Sequence, residues 1–125
     1  MNSLVTGSAG HLGEALVRTL RDLQHEVVGL DILASPFTTH AGSVADRSCV
    51  RRCMSGVEVV LHTATLHKPH VATHRRQDFV DTNITGTLNL SHRNIRPNFT
   101  SGTDFTRIWQ PCTHRYLETL IHSPE

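Results

Sequence analysis

The sequence predicts an α/β fold: a doubly wound parallel sheet with helices laid against its faces. Three observations predict it. Over residues 1–90, short apolar runs alternate with stretches of helical periodicity, the pattern of parallel strands joined by helical crossovers. The runs HEVVGLD (25–31) and VEVVLHTA (57–64) are rich in β-branched and aliphatic residues, as strands covered on both faces are. The first run opens into three glycines spaced three apart, LVTGSAGHLG at 4–13, at the point where a strand hands over to a helix.

Each element has its own justification along the chain. Residues 3–6 are short and apolar and read as the first strand. Residues 13–24 place Leu16, Val17, Leu20 and Leu23 at helical spacing, with Arg18, Arg21 and Asp22 on the other side, so a helix is predicted there. Residues 25–31 form the second strand. Residues 35–46, SPFTTHAGSVAD, are turn-rich with room for a brief third strand. Residues 47–55 suit a short helix, and residues 57–64 a buried fourth strand. Residues 70–90 read as one long helix with Phe79, Val80, Ile84 and Leu88 along one face. The remainder, 91–125, carries two prolines before residue 112 and little periodicity; within it only 113–122 reads as helical.

Composition narrows the function classes. A chain of 125 residues is enough for one core. A net charge of +1 gives no electrostatic reason to expect a nucleic-acid or membrane partner. No apolar run is long enough to span a bilayer. The first strand begins almost at Met1, which leaves no room for a signal peptide. Three cysteines are an odd, sparse set, as in a reducing compartment. A cytoplasmic location is the expectation.

The glycines carry the first chemical inference. A helix N-terminus offers unpaired N–H groups and the positive end of the helix dipole, which suit a pyrophosphate. Gly7 permits the tight turn, Gly10 lets backbone approach a phosphate, and Gly13 lets the helix pack close to the strand. Asp31 ends the second strand 18 residues after Gly13 (31 − 13), near the offset at which an acid meets the adenosine ribose. A carboxylate there accepts from both ribose hydroxyls and repels a 2′-phosphate. The cofactor read from these residues is NAD in preference to NADP.

With these residues in hand, the chain resembles the extended short-chain dehydrogenase/reductases, the group that includes NAD-dependent epimerases and dehydratases. The resemblance rests on TGSAGHLG, VVGLDI, GSVAD, VVLHTAT and DTNITGTLNL, and it covers residues 3–90. It implies a Rossmann-type sheet. It places Ser8, Ala9, His11 and Leu12 with the glycines along the pyrophosphate turn, and Asp31 and Ile32 at the adenosine ribose. Asp46 matches the acid that receives the adenine amino group, with Val44 or Ala45 beside the ring; an N-cap for the following helix is the other role open to Asp46. Ala64 and Thr65 match the segment passing the central riboses. Asn83 matches a helical asparagine that supports the family's active-site lysine. In the complete enzymes the substrate is commonly a nucleotide sugar, and its determinants lie outside the matching part.

The family's catalytic pair is missing. A Tyr-x-x-x-Lys arrangement lowers the tyrosine pKa so that a phenolate can take a hydroxyl proton. The one tyrosine here is Tyr116, with Leu120 four residues on, and the one lysine is Lys68. Ser101 and Tyr116 offer residue types without the spacing: 17 residues (100 − 83) from Asn83 to Thr100 are too few for the rest of the helix, a loop and a strand. No catalytic residue is therefore assigned. The expected molecule is an NAD-binding Rossmann half-domain over 1–90 with an atypical tail over 91–125, truncated after about four strands and unable to catalyse alone. The competing reading is a non-catalytic dinucleotide-binding or regulatory module. Ending at the fourth strand would leave an apolar sheet edge free to self-associate. His62, His67, His70 and His74, and the pair Cys49 and Cys53, lack the spacing of a structural zinc site, so no metal is expected.

Overall fold

The computed structural model describes residues 1–91 and the backbone of 107–109. Five strands form one parallel sheet: β1 (Asn2–Thr6), β2 (Glu26–Asp31), β3 (His40–Ala41), β4 (Val59–His62) and β5 (Arg107–Trp109), in the order β3-β2-β1-β4-β5. The central strand β1 pairs with β2 from Asn2↔Glu26 to Thr6↔Leu30, and with β4 from Ser3↔Val59 to Thr6↔His62. Strands β1 and β4 are adjacent although β2 and β3 lie between them in the chain. This is the topological switch that opens a crevice at the strands' carboxyl ends.

Helix α1 (His11–Asp22) comes after β1, and α2 (Arg47–Cys53) precedes β4. Alternation along β1 sends Leu4 and Val5 to opposite faces of the sheet, and both are fully buried. Leu4 joins Leu30, Val44, Val50, Val60 and Leu90 in the main core. Burial of a leucine or valine of this kind is worth about 1.5–3 kcal/mol each. Helix α1 packs against β1 and β2 with Val17 fully buried. It ends through Gln24, whose φ of 61° reverses the chain into β2, a left-handed stop more usual for glycine or asparagine.

The helix expected over 70–90 is not one helix. A 3₁₀ turn spans Lys68–Ala72, α3 begins only at Arg76 (Arg76–Phe79), a π turn covers Val80–Thr85, and α4 is Gly86–Ser91. Most of the face expected to pack inward is turned out: Val80, Ile84 and Leu88 are exposed and Phe79 is half-buried, while Gly86 and Leu90 are buried. A π turn carries more residues than an α turn and so rotates the faces of every later residue. Spacing alone says that Val80, Ile84 and Leu88 share a side, not that this side meets the core; Gly86, where an added Cβ would stand 2.6 Å from Val44, and Leu90 make that contact instead.

The tail also corrects an expectation. Backbone of 107–109 pairs with β4 at Val59↔Arg107, Val60↔Ile108 and Leu61↔Trp109. The outer edge of β4 is thus covered, and the free edge on which self-association rested is absent along those residues. The helix expected at 113–122, and Ser101 and Tyr116, lie outside the described residues. Among the described residues no helix is long and apolar enough to cross a membrane.

Candidate functional site

The carboxyl ends of β1, β2 and β4 border a cleft of about 910 Å³, within the range of small-molecule and cofactor sites. One wall is the glycine turn. Gly7 has φ +73°, and a Cβ there would stand 2.8 Å from the Ala64 nitrogen and the Thr63 hydroxyl, so only glycine serves. Gly13 is in the first turn of α1, and a Cβ there would lie 1.9 Å from the Gly7 carbonyl oxygen. Helix and turn touch backbone to backbone. At Gly10, by contrast, the nearest atom to an added Cβ is the Gly7 oxygen at 3.3 Å. The chain itself demands glycine far less at that position, which lines the cleft, than at Gly7 or Gly13.

The start of α1 is open. No side chain caps it, and the first intrahelical bond runs from the Glu14 N–H to the Gly10 carbonyl at 2.8 Å. The amides of His11, Leu12 and Gly13 precede that bond, and all three residues line the cleft. Such donors, with the helix dipole behind them, suit an anion. The turn is tied to β2 as well: the Gly7 N–H donates to the Leu30 carbonyl at 2.8 Å, and the Ala9 N–H donates to Asp31 Oδ2 at 2.9 Å. Asp31 Oδ1 accepts from the Leu33 N–H at 2.9 Å. Each carboxylate oxygen thus holds one backbone amide and keeps lone-pair capacity for another donor.

The cleft gathers the expected cofactor residues with three exceptions. Gly7, Ala9, Gly10, His11, Leu12, Gly13, Asp31, Ile32, Val44, Ala64 and Thr65 all line it; Ser8, Asp46 and Asn83 do not. Ser8 is fully buried and its hydroxyl bonds Thr38. Asp46 is the N-cap of α2: its Oδ1 accepts from the Ser48 and Cys49 amides at 2.8 and 3.2 Å. That is the cap role the sequence leaves open to it, and it uses one oxygen. Asn83, in the π turn, is spent on the segment after β4. Its Oδ1 accepts from the Leu66 N–H at 2.8 Å and the Thr65 hydroxyl at 3.1 Å, and its Nδ2 donates to the Leu66 carbonyl at 2.7 Å. Asn83 therefore shapes the cleft by clamping the strip that carries Ala64 and Thr65.

The structure adds lining residues to which the sequence reading gives no cofactor role: His62, Thr63, Leu66, His67, His70 and Thr82 among them. His62 is fully buried, and burial pushes its pKa down to about 4. The signal for it in the sequence is a histidine at the end of an apolar strand run, a position that demands hydrogen-bond partners when buried. His67, His70 and His74 make none of the His62 hydrogen bonds, which go to Thr6 and Thr87. His67 and His70 meet edge to face with centroids 4.6 Å apart, as do His70 and His74 at 5.5 Å. Among the described residues no three histidine, cysteine or acidic side chains group as a metal site. Cys49 and Cys53 are free and buried. Burial, and then its neighbour Cys49, push the Cys53 thiol up to about 11, so it stays protonated and unreactive near neutrality.

Known proteins share this arrangement. The sequence matches the profile of the NAD dependent epimerase/dehydratase family over residues 3–98. A 3-beta-hydroxysteroid dehydrogenase of Mycolicibacterium neoaurum is 32% identical over 99 residues, which is 71% of this chain and 27% of that protein. A UDP-glucose 4-epimerase of Erwinia amylovora is 32% identical over 107 residues, 72% of this chain and 32% of that one. Among solved structures, an NAD-bound short-chain dehydrogenase/reductase superfamily protein from Agrobacterium tumefaciens superposes with a TM-score of 0.65 at 31% identity, over 74% of this chain and 28% of that one. The UDP-glucose 4-epimerase of Thermotoga maritima, solved with UDP-glucose, gives 0.67 at 27% identity over 75% and 34%. The chain spans about a third or less of the length of these relatives. The family match covers most of the sequence and the fold agrees with it: this chain belongs to the NAD-dependent epimerase/dehydratase family.

Proposed function

We propose that this chain is the dinucleotide-binding part of an epimerase/dehydratase-type oxidoreductase, and that it grips NAD without turning over a substrate on its own. The observation that carries the reading is the open N-terminus of α1 behind Gly10. Three helix-start amides face a cleft at the sheet's switch point, and no side chain caps them. The dinucleotide would be held by the glycine turn at its pyrophosphate, by Asp31 and Ile32 at the adenosine ribose, by Val44 beside the adenine with Asp46 near its amino group, and by Ala64 and Thr65 along the central riboses. When bound it supplies a hydride acceptor. Asp31, with spare lone pairs, favours the free ribose hydroxyls of NAD over the 2′-phosphate of NADP.

The relatives support the same division of labour. Proteins of equal identity bear the names of a steroid dehydrogenase and a sugar-nucleotide epimerase. What this chain shares with both is the part that does not choose the substrate. A nucleotide sugar remains the substrate class favoured by the UDP-glucose neighbours. The absence of a Tyr-x-x-x-Lys pair from the sequence supports binding without independent chemistry. Two measurements test the reading. NAD at a hundred times its dissociation constant should stabilise the chain by about 2.7 kcal/mol in a thermal melt, and NADP by less; Asp31→Ala should narrow that difference. Equal stabilisation by both cofactors in the native chain would remove the role given to Asp31. Reduction of NAD by the isolated chain with a nucleotide sugar would overturn the claim that it does not catalyse alone.

A further inference from the structure

His62 sits at the end of β4 with both ring nitrogens engaged. Nδ1 is 2.6 Å from the Thr6 hydroxyl, and Nε2 is 3.1 Å from the Thr87 hydroxyl. The donors can be assigned. Thr87 has one hydroxyl proton, and it goes to the Asn83 carbonyl at 2.8 Å, so Thr87 must accept from His62 Nε2–H. Nδ1 is then bare and accepts from the Thr6 hydroxyl, which itself accepts from the Ala64 N–H at 3.3 Å. A neutral imidazole protonated on Nε2 satisfies every partner; the other tautomer would leave two donors or two acceptors face to face.

The bonds close a ring. From β1 the path runs Thr6, His62, Thr87 and the Asn83 carbonyl; the Asn83 side chain then clamps Leu66 at 2.8 and 2.7 Å. Between His62 and Leu66 lies the strip of chain that forms the second wall of the cleft. On its other side the Thr63 hydroxyl donates to the Thr6 carbonyl at 2.6 Å, one residue before the glycine turn.

We infer that His62 is a positioning residue of the cleft: as a neutral crosslink between Thr6 and Thr87 it fixes the spacing between the glycine turn and residues 63–66. It touches no reacting group in this role. It sets where Ala64 and Thr65 stand relative to the pyrophosphate turn. The effect on cofactor affinity rests on the proposed NAD reading, whereas the tautomer and the ring of bonds do not.

The test uses the full chain and two variants at one position. Thr87→Val keeps the shape and removes the acceptor for Nε2–H; Thr87→Ser restores the hydroxyl. In the native chain, nitrogen-15 NMR of the imidazole at pH 7 should show His62 as the Nε2–H tautomer. Thr87→Val should shift the Ala64 and Leu66 amide resonances and weaken NAD about tenfold, since a buried donor loses its partner. Thr87→Ser should return both toward native values. An Nδ1–H tautomer or an imidazolium at pH 7 overturns the inference. So do native-like Ala64 and Leu66 amides in Thr87→Val. A native chain that binds no NAD refutes the proposed function, and the tautomer and amide shifts then decide the role of His62 by themselves.

Discussion

Between Gly7 and Glu14, the cleft is faced by backbone: a turn with one left-handed glycine and the open amides of α1. Between His62 and Thr87, the cleft is shaped by a network of side chains, with His62, Thr87 and Asn83 holding a strip of chain in place. The two walls border the same opening and are built from different materials. A backbone wall tolerates almost no change where backbone meets backbone, and much change elsewhere. A side-chain wall depends on donors and acceptors matching, so it is sensitive to protonation and to the loss of single hydroxyls.

The largest expected effect lies in the first wall. Gly13→Ala places a Cβ within 1.9 Å of the Gly7 oxygen, and neither backbone can yield without moving α1. The substitution should cost about 3 kcal/mol or more, as a forced displacement in a packed interior does. Chemical denaturation reads it, and a variant as stable as the native chain would show that helix and turn are not in backbone contact.

Next comes the protonation of His62, which probes the second wall. Its pKa is 6.5 when free and about 4 in the fold. Between those values the unfolded chain binds the extra proton and the folded chain does not. Its contribution is therefore fully present above pH 6.5 and is lost as pH falls toward 4, on the order of 3 kcal/mol in total. Denaturation midpoints across that window measure it. A His62→Asn variant should flatten the slope, and an unchanged slope would assign the pH dependence to other groups.

Two smaller effects sharpen the comparison. Asp46→Ala removes the cap of α2 and should cost about 1 kcal/mol of stability. If Asp46 also meets the adenine, NAD affinity falls by more than that loss explains. Ile84→Ser changes an exposed residue and should stay within about 0.5 kcal/mol of native. A loss of several kcal/mol would mean that Ile84 packs inward, as a constant helical period implies.

Legibility in the sequence divides along the same line. The glycine turn is legible because backbone geometry leaves no other residue type free to occupy Gly7 and Gly13. The strands β1, β2 and β4 are legible because buried parallel strands have few polar residues to obscure them. The second wall is not legible. Thr6, His62 and Thr87 are ordinary residue types, and only their meeting in space gives them a role. Proximity in sequence groups His62 with His67, His70 and His74, although β4 turns it into the interior. The helix boundaries escape sequence reading for a related reason: a π turn inside a regular pattern shifts every later face, and periodicity carries no mark of it. Strand β5 escapes it because three residues, Arg107–Trp109, are too few to show a period.

If the cleft holds NAD at the open start of α1, Gly10 is the residue that isolates the contact. An added Cβ there would stand 3.3 Å from the Gly7 carbonyl oxygen, which asks for a small shift only, and the side chain would enter the cleft that Gly10 lines. Calorimetric titration of the full chain with NAD, native against Gly10→Val, is the most direct measurement. The native chain should bind saturably and one to one, and Gly10→Val should lose about tenfold to hundredfold, more than the roughly 1 kcal/mol of stability that valine costs at this helix N-cap. Equal affinity in the two proteins, or no saturable binding by the native chain, would contradict NAD binding at the open start of α1.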